Sequence, residues 1–321
     1  MDTALLVTPF SDENLQLAAQ VGTTDVVSIF PGLELDSLLK IRNKVKSFGL
    51  KLSVIERYVP TLDFIHGTGQ RDQQIEDFKT LIRNLGEAEV PVLCYSWMPD
   101  DDWQRTSLEA RERGGALVTE FDMRDPDTVQ SVTGFDFQSG NPTSAATLWD
   151  NLEYFLNEVI PVAEDAGVKL AMHPDDPPIA MLRGQERILS TPEAFERLVS
   201  IVDSPSNGIC FCQGSFASHA NEYDIPSLIK RLAPYITFAH FRDVVGAVPH
   251  FTEAFHDTGK TDMAASMKAY LDSGVDCPIR PDHVPTLVGE RNEFPGYHML
   301  GRLWAVGYMR GIIDTLKTVE G

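Results

Sequence analysis

The sequence predicts an α/β protein built as a (β/α)8 TIM barrel with a long loop insertion after strand 4. Three observations lead there. Eight short β-rich apolar runs recur along the chain, separated by stretches with helical spacing. The length, 321 residues, suits a single barrel domain over 1–321. The turn after the first run reads TPFSDEN, and neither a GxGxxG nor a Walker loop is found. The competing open doubly wound sheet usually carries a glycine-rich turn at that point.

ALLVTPF (4–10) is the first strand and DENLQLAAQ the first helix; DVVSIF (25–30) is the second strand, followed by helix LDSLLKIRNKVKSFG. LSVIE (52–56) and VPVLCYSW (90–97) are strands three and four, with RDQQIEDFKTLIRNLGEAE between them. Residues 98–143 then break the rhythm, being polar and spelling neither a clean strand nor a clean amphipathic helix. Loops of this length are uncommon unless functional or disordered. This one follows a strand on the face where barrel active sites lie, so a lid or a subunit contact is expected. TLWDNLEYFLNEVIPVAEDAG leads to KLAMH (169–173), TPEAFERLVSIV to GICFC (208–212), IPSLIKRLA to ITFAH (236–240) and DMAASMKAYLDSG to CPIRPD (277–282). A last helix is expected over 298–317. Helix punctuation agrees: Thr191-Pro192 offers an N-cap and a first-turn proline, and Gly167 and Gly274 stand where helices should end.

Composition bounds the function classes. Hydrophobic residues make up 43%, ordinary for a globular chain, and no apolar run reaches the roughly 18 residues of a membrane span. The opening MDTALLVTPF is acidic and short, unlike a secretory signal, so a cytoplasmic protein with no membrane partner is expected. A net charge of −20 without a dense Lys/Arg cluster argues against nucleic acid as a partner. An anionic substrate would then need local positive charge, from a metal or from placed arginines. Cys94, Cys210, Cys212 and Cys277 show no disulfide-framework spacing. A homo-oligomer, most simply a dimer, is expected because symmetric assemblies are common.

The last four strands end in His173, Cys212, His240 and Asp282. In a barrel these positions converge on one mouth, and two imidazoles, a thiolate and a carboxylate make a divalent-metal set. Singly, each has a plainer reading: a hydrogen-bonded loop histidine, a core cysteine, a turn-capping aspartate. Their coincidence in consecutive units favours the metal. Cys210, on the same face as Cys212, is expected one layer deeper as packing. After His173, the "PDDPP" turn offers Asp175 and Asp176 to orient ligands or substrate hydroxyls. Arg105, Arg242, Arg280 and Arg302 lie at strand ends or in the insertion and are candidates to grip a carboxylate. Glu253, His256 and Asp262 sit in the loop after strand seven, and His283 and Tyr297 can both transfer protons.

"HPDDPP", "FCQGS", "HFRD", "FTEAFHDTGKTDM", "RPDH" and "GYHMLGR" together resemble the mannonate dehydratase family of the xylose-isomerase-like TIM barrels. "RDQQIEDFKTLIRNL", "VLCYSWMP" and "DWQRTSLEARERGGALVTEFD" extend the likeness, which runs from about residue 50 to the C-terminus. The resemblance implies Mn²⁺, or another dication such as Fe²⁺, Co²⁺, Mg²⁺ or Zn²⁺, on His173, Cys212, His240 and Asp282, with His283 and Tyr297 as catalytic groups. It also implies a sugar acid as small-molecule substrate: D-mannonate is dehydrated to 2-keto-3-deoxy-D-gluconate within hexuronate breakdown.

The N-terminus departs from the family. Where the family carries an "FRWYG"-like first strand, this chain reads MDTALLVTPFSDENLQ, and its second strand runs into SIFPGLE. Both lie at the barrel mouth, so another aldonate stands as the alternative substrate. A sugar isomerase or epimerase on the same barrel is a further alternative, against which Cys212 counts. A sugar-acid binding protein on a decayed barrel is a third, against which the complete ligand and proton-transfer set counts.

Overall fold

The computed structural model describes residues 1–100, 103–132, 134 and 142–319. Eight strands close a parallel barrel: β1 (Asp2–Leu6), β2 (Asp25–Ile29), β3 (Lys51–Glu56), β4 (Val92–Ser96), β5 (Lys169–His173), β6 (Asn207–Cys212), β7 (Ile236–Phe241) and β8 (Pro278–Pro281). The circle closes where Asp2 pairs with Pro278 and Thr3 with Ile279. These strands read as near-continuous apolar runs because both of their faces are covered. Leu5, Val26, Ile55, Leu93, Leu170 and Ile209 point outward under the helices. Ala4, Val27, Val54, Cys94, Ala171, Cys210 and Phe238 fill the interior, so the barrel is a packed core with no pore.

All eight predicted strands form. The first stops at Leu6, short of the expected residue 10. Val7 still donates to the Val27 carbonyl, but Pro9 has no N–H to continue a ladder. The predicted helices form over Asp12–Val21, Leu35–Ser47, Arg71–Glu87, Ala145–Ala166, Pro192–Ile201, Ile225–Leu232, Met263–Asp272 and Met299–Val319. Thr191 accepts from the Ala194 amide as N-cap ahead of Pro192, and Gly167 ends its helix at φ 66°. Arg302, 2% exposed, donates to the carbonyls of Leu6 and Thr8. The last helix is thereby tied to the end of the first strand, and the guanidinium expected for substrate is spent on backbone.

The insertion is more regular than its sequence promised. Among the described residues of 98–143, Ser107–Arg111 and Leu117–Asp122 pair as an antiparallel hairpin. That hairpin continues through His250–Glu253 and Val244–Ala247 into a four-stranded sheet, while Gln104–Arg105 pairs with Gln130–Ser131. The strand signal was present in LVTEFD, whose Val118 and Phe121 are buried, but it was masked by the charged EARER turn. Residues 101–102, 133 and 135–141 of the expected lid lie outside the described residues. No described helix is long and apolar enough to cross a membrane.

Candidate active site

Register explains why the strand ends meet. Cys94 pairs with Ala171 and Ser96 with His173 on β4 and β5. Cys210 pairs with Phe238 and Cys212 with His240, and His240 in turn pairs with Arg280. Residues i and i+2 share a face, so His173, Cys212, His240 and Arg280 stand one pleat above the apolar interior layer. Ligand atoms of His173, Cys212 and His240 lie within 4.8 Å of one another. Asp282 Oδ2, just past β8, is 3.7 Å from Cys212 Sγ and 3.7 Å from His240 Nδ1. The four expected ligands are therefore neighbours.

Each donor also has a partner that prepares it. His173 Nδ1 donates to the Pro174 carbonyl at 2.7 Å, which leaves Nε2 with the lone pair. Burial lowers the His173 pKa, favouring the neutral ring. His240 Nε2 sits 3.2 Å from Glu56 Oε2. Burial opposes the charge on Glu56, yet Arg280 and His240 hold its pKa at about 2. An ionised carboxylate can only accept, so Nε2 carries the proton and the Nδ1 lone pair faces Arg280 Nη2, 3.5 Å away. Ser215 Oγ donates to Cys212 Sγ at 3.2 Å. Ser215 is held there by the short helix Gln213–Ala217, which starts immediately after β6 and is buried throughout. Two oriented imidazoles, a thiolate and a carboxylate fit a borderline divalent cation.

His283 does turn into the cavity, because its backbone has φ +33°. A non-glycine residue in that region is uncommon and costs energy that the surroundings must offset. The surroundings are specific. Trp103, from the insertion, stacks on the imidazole at 3.8 Å between ring centroids and 17° between planes, and His283 Nδ1 is 3.0 Å from Glu253 Oε1. Burial lowers the His283 pKa to about 4, so the ring is neutral near neutrality, with Nδ1 protonated towards Glu253 and Nε2 free to accept. Tyr297 donates to Asp282 Oδ1 at 3.0 Å. Burial and the nearby Asp282 push its phenol well above the usual range, keeping the proton on. Tyr297 meets Trp103 edge to face at 5.5 Å, so one indole braces both side chains.

The arginines are engaged with the protein itself. Arg105 forks onto Asp176 at 2.7 and 3.1 Å and reaches Glu253 at 2.6 Å. Arg242 binds Glu253 at 2.7 and 2.8 Å, Asp176 at 2.6 Å and Asp282 at 3.0 Å. Arg280 binds Glu56 at 2.6 and 3.0 Å and Asp282 at 2.7 Å. All three are buried, where the three guanidinium groups and the carboxylates of Asp176, Glu253, Glu56 and Asp282 satisfy one another better than they would an arriving ligand.

A cavity of about 480 Å³ opens over this layer, lined by His173, His240, Arg280, Asp282, His283 and Tyr297 among others. That volume is within the roughly 300–1,000 Å³ typical of small-molecule sites. Arg105, Arg242, His256 and Asp175, expected to touch substrate, do not line it; Arg280 and Asp176 do. Asp175 accepts from the Leu189 amide at 2.8 Å and fixes the loop after β5. His256 is fully buried between Phe241 and Trp304, and Asp262 caps the helix Met263–Asp272. The reading from sequence missed Glu56, Arg57, Tyr58 and Trp103, all of which line the cavity. Glu56 was findable, since it ends β3 as His173 ends β5. Arg57 and Tyr58 adopt φ of 64° and 59°, which nothing in their side chains announces.

Residues 30–320 match the family model described as D-mannonate dehydratase (UxuA). Mannonate dehydratase 2 of Halalkalibacterium halodurans is 35% identical over 306 residues, spanning 88% of this chain and 88% of that protein. The mannonate dehydratase of Thermotoga petrophila is 36% identical over 316 residues, spanning 89% of this chain and 87% of that protein. The crystal structure of mannonate dehydratase from Streptococcus suis serotype2 matches with a TM-score of 0.90 at 31% identity, covering 100% of this chain and 96% of that one. A xylose isomerase domain protein from Planctomyces limnophilus shares the fold, with a TM-score of 0.62 at 12% identity over 98% of this chain and 96% of that one. The family match begins at residue 30, leaving outside it β1 and β2, where the sequence departs from the family pattern.

Proposed function

The chain belongs to the mannonate dehydratase family and is a sugar-acid dehydratase; from that premise we propose that its substrate is D-mannonate, converted to 2-keto-3-deoxy-D-gluconate and water. The family depends on a divalent metal, and we assign its ligands here as His173, Cys212, His240 and Asp282. Their spacing and the oriented lone pairs on both histidines support that assignment. Mn²⁺ is the ion we propose, on the family resemblance; the donor set itself, a thiolate and two imidazoles with one carboxylate, disfavours Mg²⁺ and fits Fe²⁺, Co²⁺ and Zn²⁺ as well.

The reaction removes a proton from the carbon beside a carboxylate and expels a hydroxyl from the next one. A dication in this set supplies electrophilic stabilisation for the charge that develops on the acid as that proton leaves. His283 is the base in our assignment: Glu253 holds its Nδ1–H at 3.0 Å, so Nε2 presents the accepting lone pair towards the cavity. Tyr297 is the acid: its phenol stays protonated and offers that proton to the departing hydroxyl. Each role is worth on the order of 10²–10⁴-fold in rate. Trp103 restricts both side chains to one geometry, and its stacking on His283 supports the described part of the insertion as a lid that also forms part of the site.

The observation that carries this reading is that His173, His240 and Asp282 line one cavity with His283 and Tyr297, while the buried Cys212 Sγ lies directly behind them, within 4.8 Å of both histidines' ligand atoms and 3.7 Å from Asp282 Oδ2. Its test is a keto-acid assay over a panel of aldonates, with metals returned one at a time to chelated protein. Product from mannonate, restored by Mn²⁺, is expected. Product only from a different aldonate would overturn the substrate, and full turnover after exhaustive chelation would overturn the metal.

A further inference from the structure

Directly beneath the proposed ligand set lies a second group of donors. Sulfur atoms of Cys94 and Cys210 and a ring nitrogen of His240 lie within 4.8 Å of one another, and all three residues are buried. Cys94 is on β4, paired with Ala171 of β5, and Cys210 is on β6, paired with Phe238 of β7; both belong to the interior layer. Their neighbours there, Val54, Val92 and Phe238 among them, are apolar. Cys94 also lines the cavity, so an ion entering from the mouth can reach it. None of the proton-transfer or substrate-facing chemistry assigned above uses either thiol.

We propose that Cys94, Cys210 and His240 form an inhibitory site for a thiophilic dication such as Zn²⁺ or Cd²⁺. Two thiolates and a neutral imidazole match the charge and softness of such an ion and leave the complex neutral, which suits an apolar layer. A harder cation such as Mn²⁺ gains little from two sulfurs and has no reason to descend. On binding, two S–M bonds and one N–M bond form, and the two thiol protons leave through the cavity to buffer. His240 makes the site inhibitory. A neutral imidazole has a single lone pair, so when His240 serves the deep ion it is withdrawn from the upper one. The inhibition, though not the deep site itself, rests on the upper assignment of His240.

The test is a Cd²⁺ titration of the metal-stripped protein, followed by the near-ultraviolet thiolate-to-cadmium charge-transfer band and by Zn²⁺ inhibition of Mn²⁺-loaded enzyme. Cys212→Ala removes the only thiolate of the upper set and is expected to keep the band. Cys94→Ala and Cys210→Ala are made both alone and in the Cys212→Ala background, where no upper thiolate competes, and there each is expected to weaken Cd²⁺ binding by more than about 100-fold, the upper end for losing an outer-shell partner. Cys210→Ala is also expected to retain Mn²⁺-supported turnover while its Zn²⁺ inhibition constant rises tenfold or more. Far-ultraviolet circular dichroism checks that each variant is folded. A band abolished by Cys212→Ala and unchanged in both other variants would overturn the deep site. If the deep site binds Cd²⁺ in Cys212→Ala but Zn²⁺ does not inhibit the wild type, the shared role of His240 is overturned and the site remains.

Discussion

Gly296 is the position where a single methyl group should reach the chemistry. The residue has φ +79°, and a Cβ there would lie 2.5 Å from Trp103 Cη2 and 3.3 Å from Cζ2. The backbone conformation alone costs an L side chain about 1–2 kcal/mol. The overlap adds an overpacking cost of about 1–3 kcal/mol, because the indole is buried and its face already lies on His283. Gly296→Ala should therefore lose roughly 2–5 kcal/mol of stability. The ring can relieve the overlap only by moving, and movement is passed to His283 through the stack. A misplacement of about 1 Å costs on the order of 10²-fold in rate, so kcat should fall 10- to 100-fold with metal content unchanged. Urea denaturation, bound-metal analysis and steady-state turnover read the three quantities. Adding Trp103→Phe, which removes the outer ring bearing Cη2, Cζ2 and Cζ3, should return part of both losses. A Gly296→Ala enzyme with wild-type stability and wild-type kcat would refute the packing argument and the bracing role of Trp103 together.

Other expectations follow from the same geometry. His283→Asn and Tyr297→Phe should each retain bound metal and lose about 10²–10⁴-fold in kcat; ordinary turnover in both variants would remove them from the mechanism. Glu253→Gln keeps an acceptor for His283 Nδ1 but strips the charge between Arg105 and Arg242. Breaking a buried ion-pair group in this way costs about 3–5 kcal/mol, and an unshifted denaturation midpoint would contradict it. Arg302→Met strands the carbonyls of Leu6 and Thr8, which should cost about 1–3 kcal/mol in thermal or urea unfolding.

Much of this architecture is legible in the chain because a parallel barrel repeats one simple instruction eight times. That His173, Cys212, His240 and Asp282 are neighbours could be foreseen because each ends an apolar run, and register does the rest. Glu56 was passed over only because a lone glutamate after LSVI reads as a strand stop. The arginines show where such reading runs out. Sequence identifies Arg105, Arg242 and Arg280 as cations near the mouth but cannot count the carboxylates each meets: Asp176 and Glu253 reach Arg105, and Glu56 reaches Arg280, from segments far away in the chain. Trp103 is illegible for a similar reason: its value lies in facing His283 across a separation of 180 residues, inside a stretch whose charged residues hide its strands.

Arg302 bolts the closing helix onto the opening strand, and this gives synthesis of the chain an order. A nascent polypeptide presents His173, Cys212 and His240 well before Asp282 emerges, and Arg302 comes later still. Until then β1 has no seam to close against β8, and the mouth is an open crescent instead of a ring. Capture of an ion in the geometry proposed for these residues would thus wait until Arg302 has emerged and its helix has docked on β1.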